Sequence, residues 1–178
     1  MEVCDMKRIK ANEKQKKAPM KESTKILIYA LIGIAFLITA VLVIIENTPN
    51  RIVVKNNTGK NLEYVRAYFV GEDDQLTDTV EIKDIKSGDT AEIDLEKINL
   101  SYKNAVLEVR FKFEGYDELF TDAGYFNDVF DGKITISFND SDNDVLLKVK
   151  ATTGLLSNPN IDCNEEYKVN LDEGYVAE

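Results

Sequence analysis

The segment Asn139-Asp140-Ser141-Asp142-Asn143-Asp144 places a carboxylate at every second residue. Oxygen ligands at that spacing can converge on a hard cation such as calcium. The pattern then stops short of a complete loop. Val145 stands where the turn glycine of a helix–loop–helix calcium site belongs, and Ala151 where its closing glutamate belongs. What remains is a candidate calcium site at Asp140, Asp142 and Asp144, set against the plainer reading of a solvated hairpin tip, since Asn, Asp and Ser are ordinary turn residues.

A second chemistry lies upstream. Nine of the 16 aromatic residues fall between Tyr102 and Phe138. Phe111, Phe113 and Phe138 have the phase of core positions. Tyr116, Tyr125, Phe126 and Phe130 lie in a connection from Gly115 to Gly132 that also carries Asp117, Asp122, Asp128 and Asp131. Aromatic rings among carboxylates can stack on a sugar or grip a partner protein, and long loops on a rigid scaffold often carry binding. The same rings could instead close the end of the domain.

Catalysis finds less support. The chain has no histidine, which removes the commonest general base and metal ligand. Carboxylates are too abundant to single out a hydrolytic pair. No residue is assigned a catalytic role, and the chain is read as a non-enzyme. Cys4 and Cys163 are its two cysteines, too few for a disulfide framework; Cys163 is left as a thiol that could link two copies. Asn56-Asn57-Thr58, Asn99-Leu100-Ser101 and Asn139-Asp140-Ser141 match the glycosylation acceptor pattern.

These residues are positioned by two kinds of element. Ile26 to Ile45 is an apolar run of 20 residues without a charge. As a helix it spans about 30 Å, the thickness of a bilayer's hydrocarbon. Eight cations and four acids precede it, a net of +4. After it stand the remaining 14 of 22 cations and 28 of 32 acids, a net of −14. The positive-inside rule puts the N-terminus in the cytoplasm and the acidic remainder outside the cell membrane. The run is longer than a signal h-region and no A-x-A site follows it, so a permanent anchor is expected. Ala35 and Thr39 form a small pair through which two such helices could approach.

Beyond the anchor, strand patterns dominate. Ala105, Leu107, Val109, Phe111 and Phe113 alternate with Val106, Glu108, Arg110 and Lys112. A strand gathers such residues on one face, whereas a helix scatters them. Similar runs occupy 52–55, 62–70, 79–85, 90–95, 133–138 and 145–149, with a short one at 119–121 and an added edge strand at 167–171. Lys86-Ser87-Gly88-Asp89 reads as a hairpin turn, and Asp94 to Asn99 as one helical turn. The spacing implies a mostly β fold: an antiparallel β-sandwich of immunoglobulin-like architecture, without the cysteine pair and tryptophan of true immunoglobulin domains.

The expected organisation is a basic arm (1–25), a transmembrane helix (26–45), a linker (46–50), a β-sandwich (51–150) and a polar tail (151–178). The acidic charge argues against nucleic acid and anionic polymers as partners. The leading expectation is therefore a single-pass interaction or assembly subunit whose partner is another membrane or surface protein. A calcium- or carbohydrate-binding module is the alternative, and a carboxylate hydrolase ranks behind both.

Overall fold

The computed structural model describes residues 21–46, 50–72, 74–142, 144–154 and 157–177. The basic arm up to residue 20, with Cys4, lies outside them, as does most of the linker. The chain divides into two units, Met1–Val41 and Leu42–Glu178.

Helix α1, Glu22–Glu46, makes up the described part of the first unit and continues past its boundary. Lys25 pairs with Glu22 one turn away at 2.8 Å. From Glu22 to Val43 the helix is long and apolar enough to cross a membrane, and none of its most apolar stretch is buried against other parts of the chain. Phe36 is 74% exposed. The Thr39 hydroxyl donates to the carbonyl of Ala35 at 2.9 Å. The helix thus satisfies its own hydroxyl, as an apolar medium requires.

The second unit is built of strands. They are β1 (Arg51–Asn57), β2 (Leu62–Val70), β3 (Val80–Ile85), β4 (Thr90–Asp94), β5 (Ile98–Asn99), β6 (Ala105–Phe113) and β7 (Leu119–Phe126). There follow β8 (Val129–Phe130), β9 (Lys133–Ser141), β10 (Asp144–Thr152), β11 (Ile161–Asp162), β12 (Asn164–Asn170) and β13 (Tyr175–Ala177). Six form one sheet in the order β13-β12-β10-β9-β1-β4, and five a second in the order β11-β7-β6-β2-β3. A short β5-β8 pair makes a third. The pairs are antiparallel except β1 with β9, which run parallel from Arg51↔Lys133 to Asn57↔Asn139.

The sandwich core follows the alternation. Val109 and Phe111 of β6, Ile134 and Ile136 of β9 and Leu147 of β10 are all within 1% of complete burial. Phenylalanines fill both ends. Phe138 stacks edge-on to Phe113 with ring centres 5.5 Å apart, and Phe126 meets Phe69 at 4.9 Å. Such edge-to-face pairs add about 1 kcal/mol each beyond the area they bury.

Four local expectations are corrected. Residues 86–89 do not close a hairpin. They are a corner that carries the chain from β3 in one sheet to β4 in the other. A glycine at φ +81°, Gly88, serves either geometry, so the sequence could not separate them. Asp94 to Asn99 forms no helical turn; its end pairs as β5 with β8. The stretch from Gly115 to Gly132 is not a loop but contains all of β7, whose alternation is broken by a bulge at Gly124. The domain also does not close at residue 150. Strand β10 runs to Thr152, β12 pairs along it from Val145↔Val169 to Lys150↔Asn164, and the edge belongs to β13 rather than to β12.

Two residues hold this arrangement locally. Gly124 adopts φ +70°. A Cβ there would overlap that of Cys163 and lie 2.8 Å from the Asp162 carbonyl oxygen. The bulge lets Thr121 and Ala123 point inward and then, after one extra residue, Phe126 as well. Asn56 is fully buried. Its amide donates to the carbonyls of Lys60 (2.8 Å) and Ile85 (3.0 Å), and its Oδ1 accepts from the Thr58 hydroxyl at 2.7 Å. This acceptor-pattern asparagine is therefore a structural clasp in the folded chain.

Gly124→Ala is expected to cost about 3 kcal/mol, from a strained φ plus the overlap. Asn56→Ala should cost about 2–4 kcal/mol, because buried carbonyls lose their donors. Thermal unfolding of the full chain checks both. A shift below about 2 °C in either variant would contradict these roles.

Candidate functional site

The four aromatics singled out between 115 and 132 do not share a surface. Phe126 and Phe130 are fully buried, with ring centres 5.7 Å apart. They close the core and cannot touch a partner. Tyr116 is half-buried against the core beyond β6. Tyr125 is exposed and donates its hydroxyl to Asn104 at 3.0 Å.

The three aspartates diverge for a reason of register. Ser141 pairs with Asp144 and Asp140 with Val145 across the tip of the β9–β10 hairpin. Asp140 therefore shares the inward face with Val145, whereas Asp144 points outward. The Asp140 carboxylate accepts from the Gly59 amide at 2.9 Å, and that of Asp144 pairs with Lys168 at 2.8 Å. Asp142 occupies the exposed tip at φ +52°. Among the described residues, no group of three His, Cys, Asp or Glu is arranged to hold a metal.

Cys163 is 4% exposed, against Gly124. Burial pushes its thiol up to about 12, with Glu165 nearby adding to the shift. A protonated, enclosed thiol is a poor nucleophile for linking two copies.

The assembled constellation is on the outer face of the five-stranded sheet. Strand register sets Arg66 of β2 directly opposite Arg110 of β6, with Glu81 of β3 on one flank and Phe120 of β7 on the other. Two like charges opposite one another are unfavourable alone. Here Glu118, in the turn before β7, bridges them: its carboxylate meets Arg110 at 3.1 Å and Arg66 at 3.4 Å. Arg66 also pairs with Glu81 at 2.6 Å, and Arg110 with Glu108 at 2.6 Å. The Tyr64 hydroxyl donates to Glu118 and that of Tyr68 to Glu108. Each guanidinium lies over a ring, Arg66 at 4.2 Å from the centre of Tyr64 and Arg110 at 5.0 Å from that of Phe120. Phe120 remains 54% exposed.

This network sets the protonation states. The hydrogen bond from Tyr64, joined by the two arginines, holds the Glu118 carboxyl below the ordinary range. Lys83 and then Arg66 do the same for Glu81. Arg110 is raised, first by its bond to the Tyr68 oxygen. Asp122 moves the other way: desolvation, and then Glu108 directly across the strand pair, raise it.

The arrangement is a rigid patch of rings and paired charges. The charges are neutralised in place and the side chains are held by mutual hydrogen bonds, so little ordering entropy remains to be lost on docking. Tyrosine and arginine are the types that dominate protein interfaces. Sequence reasoning marked 62–70 as a strand but missed the site. It depends on three strand registers, and the only local signal was the alternation of charged residues on β6.

Linkage gives a pH test. Glu118 and Glu81 have lowered folded pKa values. Their contribution is complete above the ordinary glutamate value of about 4.3 and disappears as the pH falls through the lowered values. Asp122, whose carboxyl is raised, acts in the opposite sense. Melting temperature should therefore fall between about pH 5 and pH 3, and Glu118→Gln should both lower it near pH 7 and flatten that fall. An undiminished acid dependence in Glu118→Gln would refute the bridging role.

Comparison of the chain with protein-family models, curated proteins and solved structures finds no match, so the reading of its function stands on the geometry above.

Proposed function

We propose that this chain is a single-pass membrane protein that presents its β-sandwich outside the cell membrane and binds another membrane or surface protein, as an accessory or assembly subunit. The observation that carries the proposal is the outer face of the five-stranded sheet, where Tyr64, Arg66, Tyr68, Arg110 and the exposed Phe120 form one pre-organised patch. Paired rings and guanidiniums of this kind supply the desolvated centre of an interface.

Supporting the anchor is helix α1, long and apolar enough from Glu22 to Val43 to cross a membrane. Supporting the orientation is the concentration of eight lysines and arginines before it. The helix carries no ionisable residue from 26 to 45 apart from the phenol of Tyr29, which favours anchoring over transport. Ala35 and Thr39 remain a small-residue pair at which two helices could pack. The calcium reading loses ground because two of its three carboxylates face opposite ways and are already engaged.

A photo-crosslinking residue at position 120, introduced into the full chain in its native membrane, should yield one defined adduct. Arg66→Ala with Arg110→Ala should reduce that adduct at least tenfold, consistent with hot-spot costs of about 2 kcal/mol or more. A crosslinker at position 168, on the opposite sheet, should not give the same adduct. An adduct independent of both arginines, or equal from both positions, would overturn the assignment. Loss of residues 26–45 from the mature chain, read by intact mass, would overturn the anchor.

A further inference from the structure

The net charge of −14 beyond residue 45 does not describe each surface of the domain. On the outer face of the six-stranded sheet, Arg51, Lys55, Lys133, Lys148, Lys150 and Lys168 outnumber Glu92, Asp94, Asp144 and Glu166, so this surface is locally positive within an acidic domain. Three of the cations are engaged: Arg51 with Glu92 at 3.5 Å, Lys148 with Glu166 at 2.6 Å and Lys168 with Asp144 at 2.8 Å. Among the described residues, Lys55, Lys133 and Lys150 make no ion pair.

Lys133 and Lys150 border a depression, with Lys148, Glu165 and Glu166 on its other wall, and Lys55 stands beside it on the neighbouring strand. Thr135 and Ser137, short side chains on β9, form its floor beside the longer Lys148 and Lys150 of β10. The register makes it a ladder of three levels. Ser137 stands between Lys55 and Lys148, Thr135 is beside Lys150, and Lys133 is beside Thr152. Each level thus holds at least one cation and one hydroxyl, that of Thr152 donating to the Lys133 carbonyl at 3.3 Å. Levels two residues apart on a strand are separated by about 7 Å.

We infer that this trough binds a linear phosphodiester polymer, one phosphate per level, with a three-carbon polyol such as glycerol between phosphates. The chemistry favours phosphate over carboxylate peptide or neutral sugar. Lysine acts as a point charge toward phosphate, whereas planar carboxylates favour the arginine fork. The floor offers hydroxyl donors and no ring on which a sugar could stack. The extended repeat of a glycerol phosphodiester is of the same order as the spacing of the levels. The inference is independent of the protein-binding face, which lies on the other sheet.

The test is calorimetric titration of the full chain, held in nanodiscs of neutral phosphatidylcholine, with a glycerol phosphate oligomer. Binding is expected, weakening as salt is raised. Lys133→Gln with Lys150→Gln should weaken it about tenfold and lessen the salt dependence, since two phosphate contacts are lost. Lys133→Arg with Lys150→Arg should retain it, and Lys83→Gln on the other sheet should leave it unchanged. Unaltered melting of the variants would tie the loss to the trough rather than to folding. Absence of binding, or binding indifferent to Lys133 and Lys150, would overturn the inference. So would equal affinity for glycerophosphoglycerol, which would make a single lipid headgroup phosphate the ligand. Equal affinity for an oligothymidylate of matched charge would overturn the assignment of the polyol.

Discussion

The carboxamide of Asn56 is the point on which the sandwich is registered. It sits at the end of β1, in the six-stranded sheet, and donates to Ile85 at the end of β3, in the other. It also donates to Lys60 and accepts from Thr58, which shapes the chain just before β2 begins. Its own backbone meets the corner, with its amide donating to Asp89 and its carbonyl accepting from Gly88. No disulfide joins the sheets among the described residues. One buried amide with its hydrogen-bonding capacity used therefore fixes the start of β2, and with it the register that sets Arg66 opposite Arg110.

The two outer faces solve their electrostatics differently. On the five-stranded sheet, arginines in conflict are reconciled by Glu118, and the result is a stiff patch in which each guanidinium has a partner. On the six-stranded sheet, three lysines stand without one among the described residues. A domain's net charge predicts neither. The expectation about anionic polymers rested on the total alone, and strand register distributes the charge in a way the total conceals.

Alternation is legible in the sequence alone: β6, where it is unbroken, begins and ends where its pattern does, and so does β2 despite an irregularity between Leu62 and Tyr64. The misreadings arise where position depends on something beyond local pattern. Gly124 inserts one residue into β7 and shifts its phase, so the periodicity of Phe120, Tyr125 and Phe126 fits no single face. At 86–89 the local turn chemistry is that of a hairpin, and only the sheet to which β4 belongs distinguishes a corner. For Asp140 and Asp144, the alternating spacing suggested convergence, but a two-residue tip reverses the chain and puts them on opposite faces. Contacts between Arg66, Arg110 and Glu118 are long-range in sequence, and composition carries no trace of them.

The pairing of β1 has a mechanical meaning. The segment leading from α1 enters the sandwich at Arg51, and β1 is held on both sides, antiparallel to β4 and parallel to β9 over seven residue pairs. The ladder bonds run across the strand, slanted on its parallel side. A pull along β1 must shear both ladders together instead of opening one rung at a time. Tension applied at Arg51 is thus met at the strand where the domain resists extension as a cooperative unit.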